Sequence, residues 1–257
     1  MKQLLRYLSW AWGTSWPLYA ATVLATNVIG ATAVATFLRF LIPLPSAREL
    51  TSLNTTTATL YLSYFGVAVV AGIAMTLYFF APVLRWQRNP QAYDPNMVRD
   101  LVLRIPLLQT ITGIVLWGIG VVLFTVVAWR YSTEWGVTVA VTATLGGMMV
   151  SLMTYMEAER LVRPVAAKAL AKGAPDHSRL SPLSHRLMTT WALTSAVPVL
   201  GMVLLLFAVA TDFYPEDSRG IIPALLALAI TTLLTGFMGT TLFSMAVADP
   251  IRELQSA

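Results

Sequence analysis

Few residues in this chain are of a type that does chemistry, and their spacing limits what they can do. Glu157, Glu159 and Arg160 stand together and have the makings of an acid–base group. They follow directly on an apolar stretch ending at Met156, so they read instead as a solvated charged collar at the inner end of a membrane span. His177 and His185 lie in one inner loop, eight residues apart, with no further ligand beside them, and read as surface histidines. Met148, Met149, Met153 and Met156 form a thioether stripe. A soft-metal site would need thiolates or clustered partners, and neither Cys nor His accompanies it, so adaptable core packing is expected.

Asn27 is the one strongly polar group of its apolar stretch. It predicts an intramembrane polar contact, to a ligand or across to a neighbouring helix, with the second preferred. Trp117, deep in another apolar run, is assigned to packing rather than to a cofactor. The turn Asp212–Arg219, with Glu216 and Asp217, is the only acidic external patch and reads as a solvated turn before a cation site. Asn54-Thr55-Thr56 matches a glycosylation sequon, a pattern short enough to arise by chance. There is no nucleophile–base pair, no metal-ligand cluster and no phosphate-cradling glycine loop, so no catalytic residue, cofactor or metal is expected in this chain.

The elements that carry these residues follow from composition. Hydrophobic residues make up 57% and charged residues 11% of the 257. Soluble domains carry about 25% charged residues, so the deficit marks an integral membrane protein. Charges are absent from the windows 7–38, 50–84, 105–129, 135–156, 187–211 and 220–248. About 20 apolar residues cross a bilayer as a helix, and each window is long enough. The runs are continuous rather than alternating, which selects helices over a β-barrel. The fold class is therefore all-α, a polytopic membrane protein with six transmembrane helices. Cysteine is absent, which excludes disulfides and thiolate metal sites.

The net charge of +5 is an orientation signal. With the N-terminus inside, 13 of the 17 Lys and Arg residues fall in cytoplasmic segments and 4 outside (Arg39, Arg48, Arg130 and Arg219). That asymmetry predicts both termini in the cytoplasm, with the protein in the plasma membrane. The basic residues are scattered over three inner segments, which suits a lipid bilayer as partner and argues against nucleic acid.

In order, residues 1–14 read as an interfacial helix with Trp10 and Trp12 at headgroup depth. A secretory signal peptide is the weaker reading, because the apolar run is too long and its start too aromatic. Spans are expected near Trp16–Phe40, Leu60–Leu84, Ile105–Ala128, Gly136–Met156, Leu187–Thr211 and Ile221–Ala248. In the first, Ala21/Ala25 and Ala31/Ala35 have the small-xxx-small spacing that permits close helix approach. The segment 41–58 is an outer loop, and the segment before Arg104 is a mixed-charge inner connection. Trp129, Tyr131 and Trp135 flank a very short loop and predict a tight hairpin between the third and fourth spans. The fourth span continues as a cytoplasmic helix over Glu157–Lys172, closed by Gly173 and Pro175. Pro198 predicts a kink in the fifth.

Each inward-running helix meets a proline at its exit: Pro82, Pro164 and Pro250, at intervals of 82 and 86 residues. Three tandem hairpins would give this regularity, as would the general frequency of proline at helix exits. At the last exit, Asp249-Pro250 reads as a joint at which one helix ends and another begins, nearly coaxial. Ile251 and Leu254 are spaced as heptad core positions beyond it.

Asp249-Pro250-Ile251-Arg252-Glu253-Leu254, directly after a membrane span, resembles the opening of a HAMP domain, the signalling linker of bacterial receptors. The whole chain resembles the six-helix membrane part of the HAMP-containing class III adenylate cyclases of mycobacteria and related actinobacteria, specifically so over the last nine residues. The resemblance implies three segments: an interfacial segment 1–14, a six-helix domain 15–248, and the start of a HAMP-like helix at 249–257. It implies a homodimer, and a cytoplasmic HAMP and cAMP-forming module as the partner of the membrane part. No catalytic residue is carried over. A membrane sensor or anchor for such a module is thus the expected function. A small transporter or channel for an apolar or lipid-like ligand, and a purely structural anchor, are the alternatives.

Overall fold

A computed structural model describes residues 16–42, 55–89, 91, 93–170, 183–213 and 218–255. The helices are α1 (Trp16–Thr36), α2 (Thr55–Arg88), α3 (Pro95–Trp129), α4 (Thr133–Leu170), α5 (Leu183–Trp191), α6 (Val197–Ala210) and α7 (Ile222–Gln255). A π-helical turn, Phe37–Leu41, extends α1, a second, Ala192–Ala196, fuses α5 to α6, and a 3₁₀ turn, Ser218–Ile221, leads into α7. Among the described residues, six helical stretches are long and apolar enough to cross a membrane, one at each predicted window. The all-α, six-span reading holds. The interfacial segment 1–14 lies outside the described residues, as do most of the 41–58 loop, Gly173, Pro175, Glu216 and Asp217.

Several helices outrun the bilayer. At about 1.5 Å per residue, α2, α3 and α4 exceed the roughly 30 Å of the hydrocarbon layer. Pro82 lies inside α2, which runs on to Arg88, and α4 runs through Pro164 to Leu170, in line with the helix expected over Glu157–Lys172. A proline removes one hydrogen bond, and a helix with enough bonds on either side absorbs the loss. The stretch before Arg104 is helical from Pro95 rather than a loop. Asp94 precedes that helix, its carbonyl accepting from the Val98 N–H at 3.2 Å, and Pro95 takes the first helical position, where its missing N–H costs nothing. The outer loop is also shorter than expected, because α2 begins at Thr55.

The chain forms two compact units. The first contains Met1–Ala33, Ser52–Leu123 and Val150–Arg179. Its core joins Tyr19 and Val23 of α1 to Phe80, Val83 and Trp86 of α2, with Val98, Val102 and Ile105 of α3 and Ala158, Val162 and Val165 of α4. The Tyr19 and Phe80 rings meet at 4.7 Å, tilted by 52°. This core sits where α2 and α4 finish and α1 and α3 begin. There the sequence turns amphipathic: Val98, Val102 and Ile105 recur at four and three residues, while Arg104 is exposed.

The second unit contains Val34–Thr51, Phe124–Met149 and Leu180–Ala257. Its core groups Ile42, Leu205, Ile221 and Ala224, with Phe37, Leu41, Trp135, Val209 and Leu225 packed around them. The α3–α4 hairpin is as tight as expected. The Tyr131 N–H donates to the Ala128 carbonyl at 3.0 Å, and Ser132 caps α4 by accepting from the Trp135 N–H at 3.0 Å. Gly136 lets the Trp129 ring lie on the first turn of α4, since a Cβ there would stand 2.9 Å from the Trp129 Cγ. α6 stops in a Schellman motif. Asp212 adopts φ 53°, Phe213 N–H donates to the Ala208 carbonyl at 2.9 Å, and Asp212 N–H to that of Val209 at 3.1 Å.

Candidate functional site

Two places carry the residues singled out from sequence: the polar contacts among α1, α3 and α4 in the first unit, and the far end of α7 in the second.

The approach of α1 to α4 explains the first. Gly30 faces Val150 so closely that a Cβ on Gly30 would stand 2.1 Å from the Val150 Cγ2. The small-residue pairs expected to do this do not: Ala21, Ala25 and Ala35 are exposed. In lipid, closeness depends on which small residue falls at the crossing point, and an alanine stripe elsewhere only faces acyl chains. Near the Gly30 contact, the Thr26 hydroxyl donates to the Glu157 carboxylate at 2.5 Å. Glu157 is therefore half-buried and engaged by a neighbouring helix, a correction to the solvated collar. Glu159 is half-buried, and only Arg160 of the three is exposed.

Asn27 sits beside Thr26. Its Nδ2 donates to the Val23 carbonyl of its own helix at 2.8 Å, and its Oδ1 accepts from the Trp117 indole N–H of α3 at 3.1 Å. Both halves of the amide are thus satisfied within the protein, as a polar group in lipid requires. Trp117 supplies a donor as well as bulk.

Two further contacts escaped sequence reasoning. The Thr76 hydroxyl of α2 reaches the Gln109 carboxamide of α3 at 3.0 Å, with both residues buried. The Tyr64 hydroxyl of α2 donates to the Leu116 carbonyl of α3, and Gly120 makes room for that ring. Gln109 is the lone carboxamide in the charge-free window 105–129, which was the signal available for it.

The remaining candidates separate. The methionines do not form a core stripe, since Met148 is half exposed and Met149, Met153 and Met156 are only partly buried. His185 lies within α5 rather than in a loop, and His177 lies outside the described residues. Among the described residues no group of three or more His, Cys, Asp or Glu is placed to hold a metal ion.

At the second place, α7 runs as one helix from Ile222 to Gln255, so Asp249 and Pro250 lie within it rather than between two helices. The side chains of Asp249, Pro250, Ile251 and Leu254 lie outside the described residues. Higher in the same helix, Gly239 is buried against α5 and its π-helical turn, where a Cβ would stand 2.6 Å from the Thr194 Cγ2 and 3.2 Å from the Thr190 Cγ2. The π-helical turn answers Pro198. The Val197 N–H bonds to the Ala192 carbonyl, five residues back, so the ladder shifts just before the residue that has no N–H.

No family model matches the chain, and no solved structure matches it. Relatives exist among mycobacterial proteins. The uncharacterized protein Rv1319c of Mycobacterium tuberculosis is 29% identical over 174 residues, covering 68% of this chain and 32% of the relative. The uncharacterized protein Rv1320c of the same organism is 26% identical over 241 residues, covering 93% of this chain and 42% of the relative. The uncharacterized protein Mb1352c of Mycobacterium bovis is 28% identical over 145 residues, 55% of this chain and 26% of that protein. The chain thus spans well under half the length of the curated relatives it matches, and what it shares with these longer mycobacterial proteins is a membrane domain.

Proposed function

We propose that the chain is the membrane sensor or anchor domain of a dimeric, receptor-type adenylate cyclase, oriented with both termini in the cytoplasm. The observation that carries this reading is the last helix. It continues from the sixth span to Gln255 and takes in Asp249-Pro250-Ile251-Arg252-Glu253-Leu254, the stretch that resembles a HAMP opening. A continuous helix transmits rotation or axial displacement along its length, whereas a flexible tail would dissipate either. Two helical packings of similar energy in a parallel linker would convert that displacement into a switch. The greater length of the mycobacterial relatives supports a membrane part that works with a further module. Distributed Lys and Arg support the orientation.

The test uses the absence of cysteine from the chain. Leu254→Cys in the intact membrane should cross-link two copies under mild oxidation, and Arg252→Cys, off the heptad seam, should do so far less. Equal or absent cross-linking at both positions would argue against the dimeric stalk.

A further inference from the structure

The contact between α1 and α4 contains more oxygen than its hydrogen bonds use. On α4, Val150, Thr154 and Glu157 are spaced four and three residues apart, so they form one stripe on the helix. Both ends of that stripe meet α1, Val150 at Gly30 and Glu157 at Thr26, themselves four residues apart. Thr154 lies between them on the same face. It is 2% exposed, and its hydroxyl has no hydrogen-bond partner among the described residues. A buried hydroxyl left unpaired costs about 1–3 kcal/mol, so an orphan beside a carboxylate calls for an occupant.

The carboxylate has the same need. Its one hydrogen-bond partner is the neutral Thr26 hydroxyl, and among the described residues no basic side chain stands against it. Among the described residues, the ionisable groups nearest in sequence and packing are as follows. On α4, Glu159 and Arg160 have interactions of their own. On α1 the nearest is Tyr19, two turns away and packed on Phe80. From α3 the neutral Trp117 reaches Asn27 of α1. Asp100 and Arg104 of α3, with Arg85 and Arg88 of α2, flank the core that takes in Ala158, but among the described residues make no hydrogen bond or ion pair with Glu157. An unneutralised carboxylate in a membrane helix is expensive.

We propose that Glu157, with the Thr26 and Thr154 hydroxyls, binds a monovalent cation, either a proton or an alkali ion. The donor set is all oxygen, which suits a hard ion, and its single negative charge matches a single positive one. The site joins α1 to α4, so occupancy would tighten that contact. This inference stands apart from the signalling reading and survives its failure.

The experiment is the thermal midpoint of the full chain in nanodiscs, for the natural sequence, Glu157→Gln and Thr154→Val. Each is measured from pH 5 to pH 9, in NaCl or in choline chloride at equal ionic strength. If the ion is a proton, the natural chain gains stability as pH falls, sodium has no effect, and Glu157→Gln is flat with pH. If it is an alkali ion, NaCl raises the midpoint at pH 8, by about 5–10 °C at a hundredfold excess over Kd. Both variants then lose that gain. A natural chain indifferent to both, or a Glu157→Gln variant that responds as the natural chain does, overturns the proposal. Should the glutamine variant fail to fold, isotope-edited infrared spectroscopy of the natural chain decides. A carboxyl band that no change of pH or sodium moves also overturns it.

Discussion

At the scale of single residues, most of the described threonine hydroxyls bond the carbonyl four residues back in their own helix, and a few polar groups reach across to a neighbouring one. The Trp117 indole and the Asn27 carboxamide are an example. Interhelical hydrogen bonds in membranes average about 0.6 kcal/mol, because the separated helices find other partners. We predict that Trp117→Phe costs about 0.5–1 kcal/mol, measured as the denaturation midpoint in detergent. A loss above ~2 kcal/mol would mean that ring volume, not the indole donor, dominates. Gly30 should matter more. Gly30→Val drives a side chain into Val150, and overpacking of this kind costs about 1–3 kcal/mol. Val150→Ala in the same chain should recover a large part of that loss, and a double-mutant cycle would show the coupling. Independent, additive effects would remove Gly30–Val150 as the crossing point.

At the scale of elements, the instructive case is the bent fifth span. Pro198 alone announces a kink, yet the disturbance lies just upstream as a π-helical turn over Ala192–Ala196. Such a turn is one extra residue accommodated in an α-helix. We predict that deleting one residue within 192–196 is tolerated, because the span reverts to plain α-helix with its flanks in register. Deleting one residue within 199–204 should instead rotate everything beyond it by about 100° and take Leu205 off its packing face. Expression and thermal midpoint of the two deletions distinguish these outcomes, and equal damage would contradict the π assignment. The end of α6 gives a second check. Asp212 sits in the left-handed region, which costs a branched residue about 1–2 kcal/mol. Asp212→Val should therefore destabilise by that amount in a denaturation series, and Asp212→Gly should not.

At the scale of the whole molecule, the open quantity is orientation. The Lys and Arg count predicts the α3–α4 turn outside and the end of α2 inside. In intact cells a membrane-impermeant maleimide should label Ser132→Cys and spare Asn89→Cys until the cells are opened. The reverse pattern would invert the topology and place the end of α7 on the outer face, which would remove the signalling proposal.

Six spans were legible in the sequence because lipid imposes a composition on any helix that crosses it, whatever its neighbours. Each window without charge overlaps one of the six, and aromatic residues around Arg130 announced the tight hairpin between α3 and α4. The same uniformity hides which face of each helix packs. A helix that is apolar all round carries little periodicity, so the pairing of Gly30 with Val150, Thr26 with Glu157 and Asn27 with Trp117 came only from the tertiary structure. The continuation past Pro164 was legible too, because Glu157–Lys172 reads as helix. Pro82 and Pro164 mark where a helix loses one bond, while its end is decided by where further turns still find something to pack on. For α2, α3 and α4 that was the apolar core around Val83, Val102 and Val162.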